Sequence, residues 1–380
     1  MKTTAPHVAV LVLVSMTAHA QSTMGVPSAA FPTIQSAIDA ATAGAIVEVA
    51  PGSYGAIDFH GKPITVRSTA GAGATTISNG GILAAFPSGE SRSSVLEGFT
   101  LGRAGGLGAS GIRCSTSSPT IRGCVISGNH SSNSLSSLFA AGISCSGGAP
   151  RFEACEVSSN FGDGSNCPGS GIPCLFYQAP IGGVLLENSW AEFLDCRVLN
   201  NAGAYQSPGG VQVHGGAPLF TNCVIAGNIS GPQSSFPRAS AGGVDVKYGT
   251  VTLVNCSLWG NVAVGGSGSA GGLTVGFGAQ TASAMVVNCI FWMNSVAGSG
   301  NPSIQLNSSS TVLVFYSDIQ GGFGGVGNLW GTLVGALSLG LANKLLEPYA
   351  GAVLGKVALL VLIILFIQKR PRGLFALKGR

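Results

Sequence analysis

Charge is what this chain has least of. Asp, Glu, Lys and Arg together make 8% of its 380 residues, against about 25% in ordinary soluble domains. That scarcity excludes the basic patch a nucleic-acid partner needs. The formal charge of +4 does not change this, because five of the eighteen basic residues fall in the last dozen positions. Paired carboxylates are missing too: no Asp-Asp or Asp-x-Asp occurs anywhere. The remaining acids, among them Asp58, Glu97, Glu153, Glu156, Asp163, Glu187, Glu192, Asp195, Asp245 and Asp318, are scattered. Polysaccharide hydrolysis needs two carboxylates converging on one bond. Lyase chemistry needs a base, with acids to hold calcium. The best acid–base grouping is Glu192, Asp195 and Arg197, and outward polar residues of half-buried strands account for it better. His214, in Val213-His-Gly-Gly216, is reminiscent of a hydrolase motif without partner carboxylates. No catalytic residue, metal ligand or cofactor site is assigned. Residues 1 to 320 also lack any apolar run long enough to span a bilayer, and no ten-residue helical stripe appears in the middle of the chain.

What is present is a repeat. Six copies place a Cys three positions after an apolar residue and an Asn five positions after the Cys: Ile121/Cys124/Asn129, Phe152/Cys155/Asn160, Phe193/Cys196/Asn201, Phe220/Cys223/Asn228, Leu253/Cys256/Asn261 and Val286/Cys289/Asn294. A Gly followed by an aliphatic residue opens each copy, at Gly111, Gly142, Gly183, Gly210, Gly243 and Gly272. A fixed core with variable spacers marks stacked coils that bury their apolar sides on one another. Within a copy the period is two, as in Val211-Gln-Val213 and Val251-Thr-Leu253, which reads as short strands. The 59 glycines suit sharp bends. The expected fold is an all-β, right-handed parallel β-helix with a cysteine column inside and an asparagine ladder at one turn. Cys114 and Cys145, ten residues before ladder cysteines, mark another inward position, and stacked inward thiols need not be bonded. Cys167 and Cys174 belong to no ladder, lie in one insertion, and are the disulfide candidate.

The first residues have the form of an export signal: Lys2, an apolar core from Val8 to Val14, and Ala18-His-Ala20 as a cleavage site, so residues 1–20 are expected to be removed. Ile34, Ile38 and Ala41 share a helical face behind Thr33 as N-cap, followed by two alternating strands within Ala45 to Tyr54 and Lys62 to Arg67. That helix would cover the open first coil. The offset from each Asn to the next Gly runs from nine to twenty-three positions. Every insertion therefore leaves the coil at one corner, where Phe161, Phe176, Tyr177, Tyr205 and Phe236 could stack on sugars or pack their own loops.

On the runs Phe31 to Ile38, Val49 to Tyr54, Ser94 to Thr100 and Ser118 to Ile121, the chain resembles bacterial right-handed parallel β-helix repeat proteins of the pectate-lyase-like superfamily over about residues 30–323. The resemblance implies the fold, in a superfamily that includes lyases, hydrolases, esterases and adhesins. From Gly324 the wording changes. Gly324 to Ala336, Leu345 to Tyr349 and Phe366 to Phe375 are similar to the C-terminal end of permease subunits of urea and branched-chain amino-acid ABC transporters. Glycines at 327, 331, 335 and 340 suit close helix packing, Ala350 to Ile367 is long enough to cross a bilayer, and a basic stop follows. The preceding helices of that family are absent from this sequence, which a gene fusion or a sequence-assembly artefact would equally produce. Three functions follow in order: a tethered, exported β-helix binding polysaccharide or a surface partner without catalysis; a polysaccharide-active enzyme; and a membrane protein associated with ABC transporter subunits.

Overall fold

The computed structural model describes residues 22–132, 138–163, 180–204, 207–231, 240–264, 268–277, 280–297, 300–307 and 310–321. Expectations that fall on residues 1–20, on Cys167 and Cys174, and on residues 324–380 lie outside them. Every strand pairing recorded between named strands is parallel, and a strand's neighbour in space lies mostly three to five strands further along the chain. That is a parallel β-helix. The only helix among the described residues is Ile34–Ala40, and no described helix is long and apolar enough to cross a membrane.

Each coil visits three sheets in turn. Sheet one holds the strand before each ladder cysteine, such as Thr120–Arg122, Arg151–Glu153, Glu192–Leu194 and Leu219–Thr221. Sheet two holds the strand after it, such as Val125–Ser127, Glu156–Ser158, Arg197–Leu199 and Val224–Ala226. Sheet three holds the strand behind each repeat glycine: Ser110–Ser115, Ile143–Ser146, Val184–Ser189, Val211–Gly216 and the first part of Val244–Val254. The pairing is in register, Ile121 on Phe152 on Phe193 on Phe220 on Leu253 on Val286. Inside, Phe152, Phe193 and Phe220 stack with centroids 4.6 Å apart and near-parallel rings.

Two bends bracket sheet two in every repeat, and both turn through a left-handed residue placed just before the ladder residue. Gly123, Ala154, Asp195, Asn222, Asn255 and Asn288 precede the cysteines, and Gly128, Ser159, Asn200, Gly227, Gly260 and Met293 precede the asparagines, all with φ between 50° and 66°. Gly and Asn tolerate that region; Ala154 and Met293 sit there at a cost. The repeat glycines serve a different need. A Cβ on Gly210 would lie 2.2 Å from the carbonyl oxygen of Gly243 in the next coil, so only glycine lets the coils close up there.

The helix closes the first coil. Thr33 caps it through a capping box with Ser36, and Ile34, Ala37 and Ile38 are buried against the first strands. At its far end the Lys62 ammonium donates to the carbonyl oxygens of Ile38, Asp39 and Ala41 at 2.7–3.1 Å. A cation at that end satisfies orphan carbonyls and opposes the helix dipole.

Candidate functional site

The asparagine ladder is a structural device. In Asn129, Asn160, Asn201, Asn228, Asn261 and Asn294 the side-chain nitrogen donates to a carbonyl of the coil before, from Leu101 O to Leu258 O. Each Oδ1 after the first accepts both the backbone N–H and the Nδ2 of the preceding asparagine, at 2.9–3.1 Å. Asn129 Oδ1 accepts from Ala104 N–H at 2.9 Å. With its amides so occupied and buried, the ladder has nothing to offer a ligand. The repeat reading missed a second ladder on the outer surface: Asn222 donates to Asp195, Asn255 to Asn222 and Asn288 to Asn255, at 2.8–3.1 Å. Its signal was the residue immediately before each cysteine.

The cysteines are equally inert. Cys124, Cys155, Cys196, Cys223, Cys256 and Cys289 are buried free thiols, as are Cys114 and Cys145, and each ladder Sγ donates to backbone carbonyls. Burial pushes Cys124 up to about 12, and hydrogen bonding to the neighbouring thiol, with burial, does the same for Cys196, Cys223 and Cys256. A thiol that does not ionise is no nucleophile.

The grouping of Glu192, Asp195 and Arg197 does not assemble. Glu192 lies on sheet one between Arg92 (3.0 Å) and Arg151 (3.7 Å), Arg197 lies on sheet two against Glu156 (3.4 Å), and Asp195 accepts from Asn222 at the bend between them. A period-two strand followed by a bend separates residues two apart onto different faces. These acids belong to an exposed ion-pair lattice that also joins Glu97, Arg122 and Glu153. The guanidinium of Arg122 holds the Glu153 carboxyl below its ordinary range. Such surface pairs contribute little stability individually.

The outward face of sheet three is different, because polar groups there are buried. Register places Leu185, Gln212, Asp245 and Thr274 in one outward row, with Glu187, His214 and Tyr248 in the next. The register shifts between Val213 and His214, so Lys247 is the extra residue of a bulge, a distortion that re-aims side chains. Its ammonium meets the fully buried Asp245 carboxylate at 2.8 Å and lies 4.9 Å from the centre of the Phe277 ring. Gln212 is 4% exposed, and its Oε1 has no hydrogen-bond partner among the described residues. Beside them the His214 and Tyr248 rings lie 5.2 Å apart. Burial, helped by Lys247, lowers His214 to about 4, so the imidazole is neutral at neutral pH. Burial raises the Glu187 carboxyl, and burial with the Glu187 charge raises the Tyr248 phenol.

Insertions help cover this face. Ala140 and Ile181 pack on Leu185 in a small second core, and the segments after successive asparagines bridge one another at Phe161, Ala202, Ile229 and Val262. Phe161 stacks on His130 at 5.3 Å; Phe176, Tyr177, Tyr205 and Phe236 lie outside the described residues. Sequence spacing singled out His214 but gave no partner, because Glu187 and Asp245 lie one coil away on either side. Only the strand register brings them together.

No protein-family model matches the chain, and no curated protein matches it. Among solved structures it is similar to a pectin methylesterase from carrot, at 12% identity over 78% of this chain and 90% of that one, with a TM-score of 0.45. It is also similar to the pectate lyase Pel9A, at 13% identity over 72% and 71% of the two chains, with a TM-score of 0.41. A third is the family 6 alginate lyase AlyGC, at 14% identity over 77% and 39%, with a TM-score of 0.32.

Proposed function

We propose that this chain is an exported, membrane-tethered, right-handed parallel β-helix protein that holds a polysaccharide on the outward face of its third sheet. The observation that carries this reading is the buried Gln212 amide left with an unanswered acceptor beside the Asp245–Lys247 pair. A buried polar atom without a partner is costly, and a sugar hydroxyl is the kind of donor that satisfies it. The His214, Tyr248 and Phe277 rings supply apolar faces beside it, as sugar binding requires. Charge selects the glycan class. Lys247 is engaged by Asp245 and His214 is neutral, so among the described residues the cluster around Gln212 offers a polyuronate no free cation, the Arg113 guanidinium of the same outward row lying three coils away, and a neutral polysaccharide fits better. Affinity electrophoresis of the whole chain against neutral and uronate polysaccharides tests this. Retardation by a neutral glycan, weakened in Gln212→Leu, is expected; no retardation by any of them refutes the reading.

One observation favours a catalytic variant of the same site. Glu187, with a raised carboxyl, lies in register with a neutral His214, and such a pair can exchange protons with a bound sugar. Release of reducing ends or unsaturated sugars, abolished in Glu187→Gln, would establish it.

A further inference from the structure

Polarity runs along the solenoid as a gradient. The first coils carry the ion-pair lattice, but between Tyr248 and Gly321 the only charged residue is Asp318, and no Lys or Arg occurs between Lys247 and Lys344. In the last coils the outward rows of sheets one and two instead expose large apolar residues among uncharged Ser and Thr. Trp259 is 51% exposed, Ile290 50%, Leu313 52% and Tyr316 90%. Trp259 pairs in register with Trp292, Ile290 with Asp318, and Met285 with Leu313. These residues flank the bend that carries the Asn255 and Asn288 amides, and Phe315 and Tyr316 extend them at the final coil. Seven of the twelve large exposed apolar residues of the described chain, Trp259, Met285, Ile290, Met293, Leu313, Phe315 and Tyr316, lie on these last coils, so they are concentrated and not scattered.

Their place and composition identify an occupant. The described chain leaves this end at Gly321, and the apolar run Ala350 to Ile367 begins twenty-nine positions later. Trp and Tyr, with apolar bodies and polar edges, are the residues that settle at a lipid–water boundary. We infer that the apolar outer surface of the last coils lies against the membrane, its aromatic rings in the interfacial layer of a bilayer. The missing cations set the lipid chemistry: contact is apolar, works on zwitterionic lipid, and does not weaken with salt as a polybasic surface would. Asp318 fits this, since burial raises its carboxyl toward the neutral form. The gradient then holds the molecule with its last coils on the bilayer and its charged first coils away from it.

The inference rests on the tethered reading, and the test separates the two. The full chain carrying Trp190→Phe and Trp330→Phe, which leaves Trp259 and Trp292 as reporters, is reconstituted in phosphatidylcholine vesicles with and without brominated acyl chains. The expected result is loss of most tryptophan emission to the brominated lipid, unchanged by added salt or anionic lipid. A chain that does not float with the vesicles overturns both readings. A chain that floats with unquenched emission overturns this one: access to acrylamide then means the surface faces water, and shielding from acrylamide means protein covers it. Trp259→Ser and Ile290→Ser together should restore emission from Trp292; retained quenching in that variant would also overturn it.

Discussion

At the scale of single residues, two positions in each repeat carry the bends. Asn201 accepts two hydrogen bonds from Asn160 and donates to Val157 O and Asn228 Oδ1. Asn201→Ala strands several buried groups at once, and at about 1–3 kcal/mol each the loss should be 3 kcal/mol or more. Urea unfolding measures it, and a loss below about 1 kcal/mol would mean water replaces the amide. Ala154 holds φ of 50° on the left-handed side. Ala154→Gly should therefore stabilise the chain by about 1 kcal/mol, read by the same titration, whereas most substitutions destabilise. The ladder cysteines and asparagines are legible in sequence because each fills an identical slot in successive coils. The bend residues before them are not, because Gly, Ala, Asp, Asn, Ser and Met all occupy the same backbone conformation.

At the scale of elements, close stacking makes two predictions. Gly210→Ala puts a methyl group 2.2 Å from a backbone oxygen that cannot move aside without opening sheet three. Loss of cooperative folding is expected by circular dichroism, and a native-like melting curve would contradict the packing. The thiol column sets an alkaline limit. Cys124, Cys196, Cys223 and Cys256 are raised to about 12 in the fold, so between their ordinary value and 12 the unfolded chain has lost protons that the folded chain keeps. Stability is therefore complete below the unfolded thiol value and falls as pH rises toward 12, by up to ~1.4 kcal/mol per pH unit for each thiol. Cys196→Ala should flatten that limb, and alkylation of the ladder should follow unfolding. Strands, stacking and the capping helix were readable from period and spacing. The sheet-three cluster was not, since its members are about thirty residues apart in the chain and meet only through register.

At the scale of the molecule, insertions, tail and site can be separated. Deleting residues 324–380 should release a folded β-helix from membranes with glycan retardation intact, checked by fractionation and electrophoresis; misfolding would mean the tail protects the last coil. The expected likeness of that segment to a permease end falls outside the described residues, whereas the polarity gradient beside it emerges once outward rows are known. The stacked ladders finally bear on force. All their bonds point along the solenoid axis, so a pull from the two ends loads the coils one after another. Unzipping from the charge-poor end should pay out chain in unequal steps, because successive cysteines are 31, 41, 27, 33 and 33 residues apart. At about 3.4 Å per residue those steps run from roughly 90 to 140 Å. Their order in a single-molecule trace would identify which coil gives way first, so a chain held at one end and gripped by a glycan along its side yields from the anchored end, leaving the gripped coils wound.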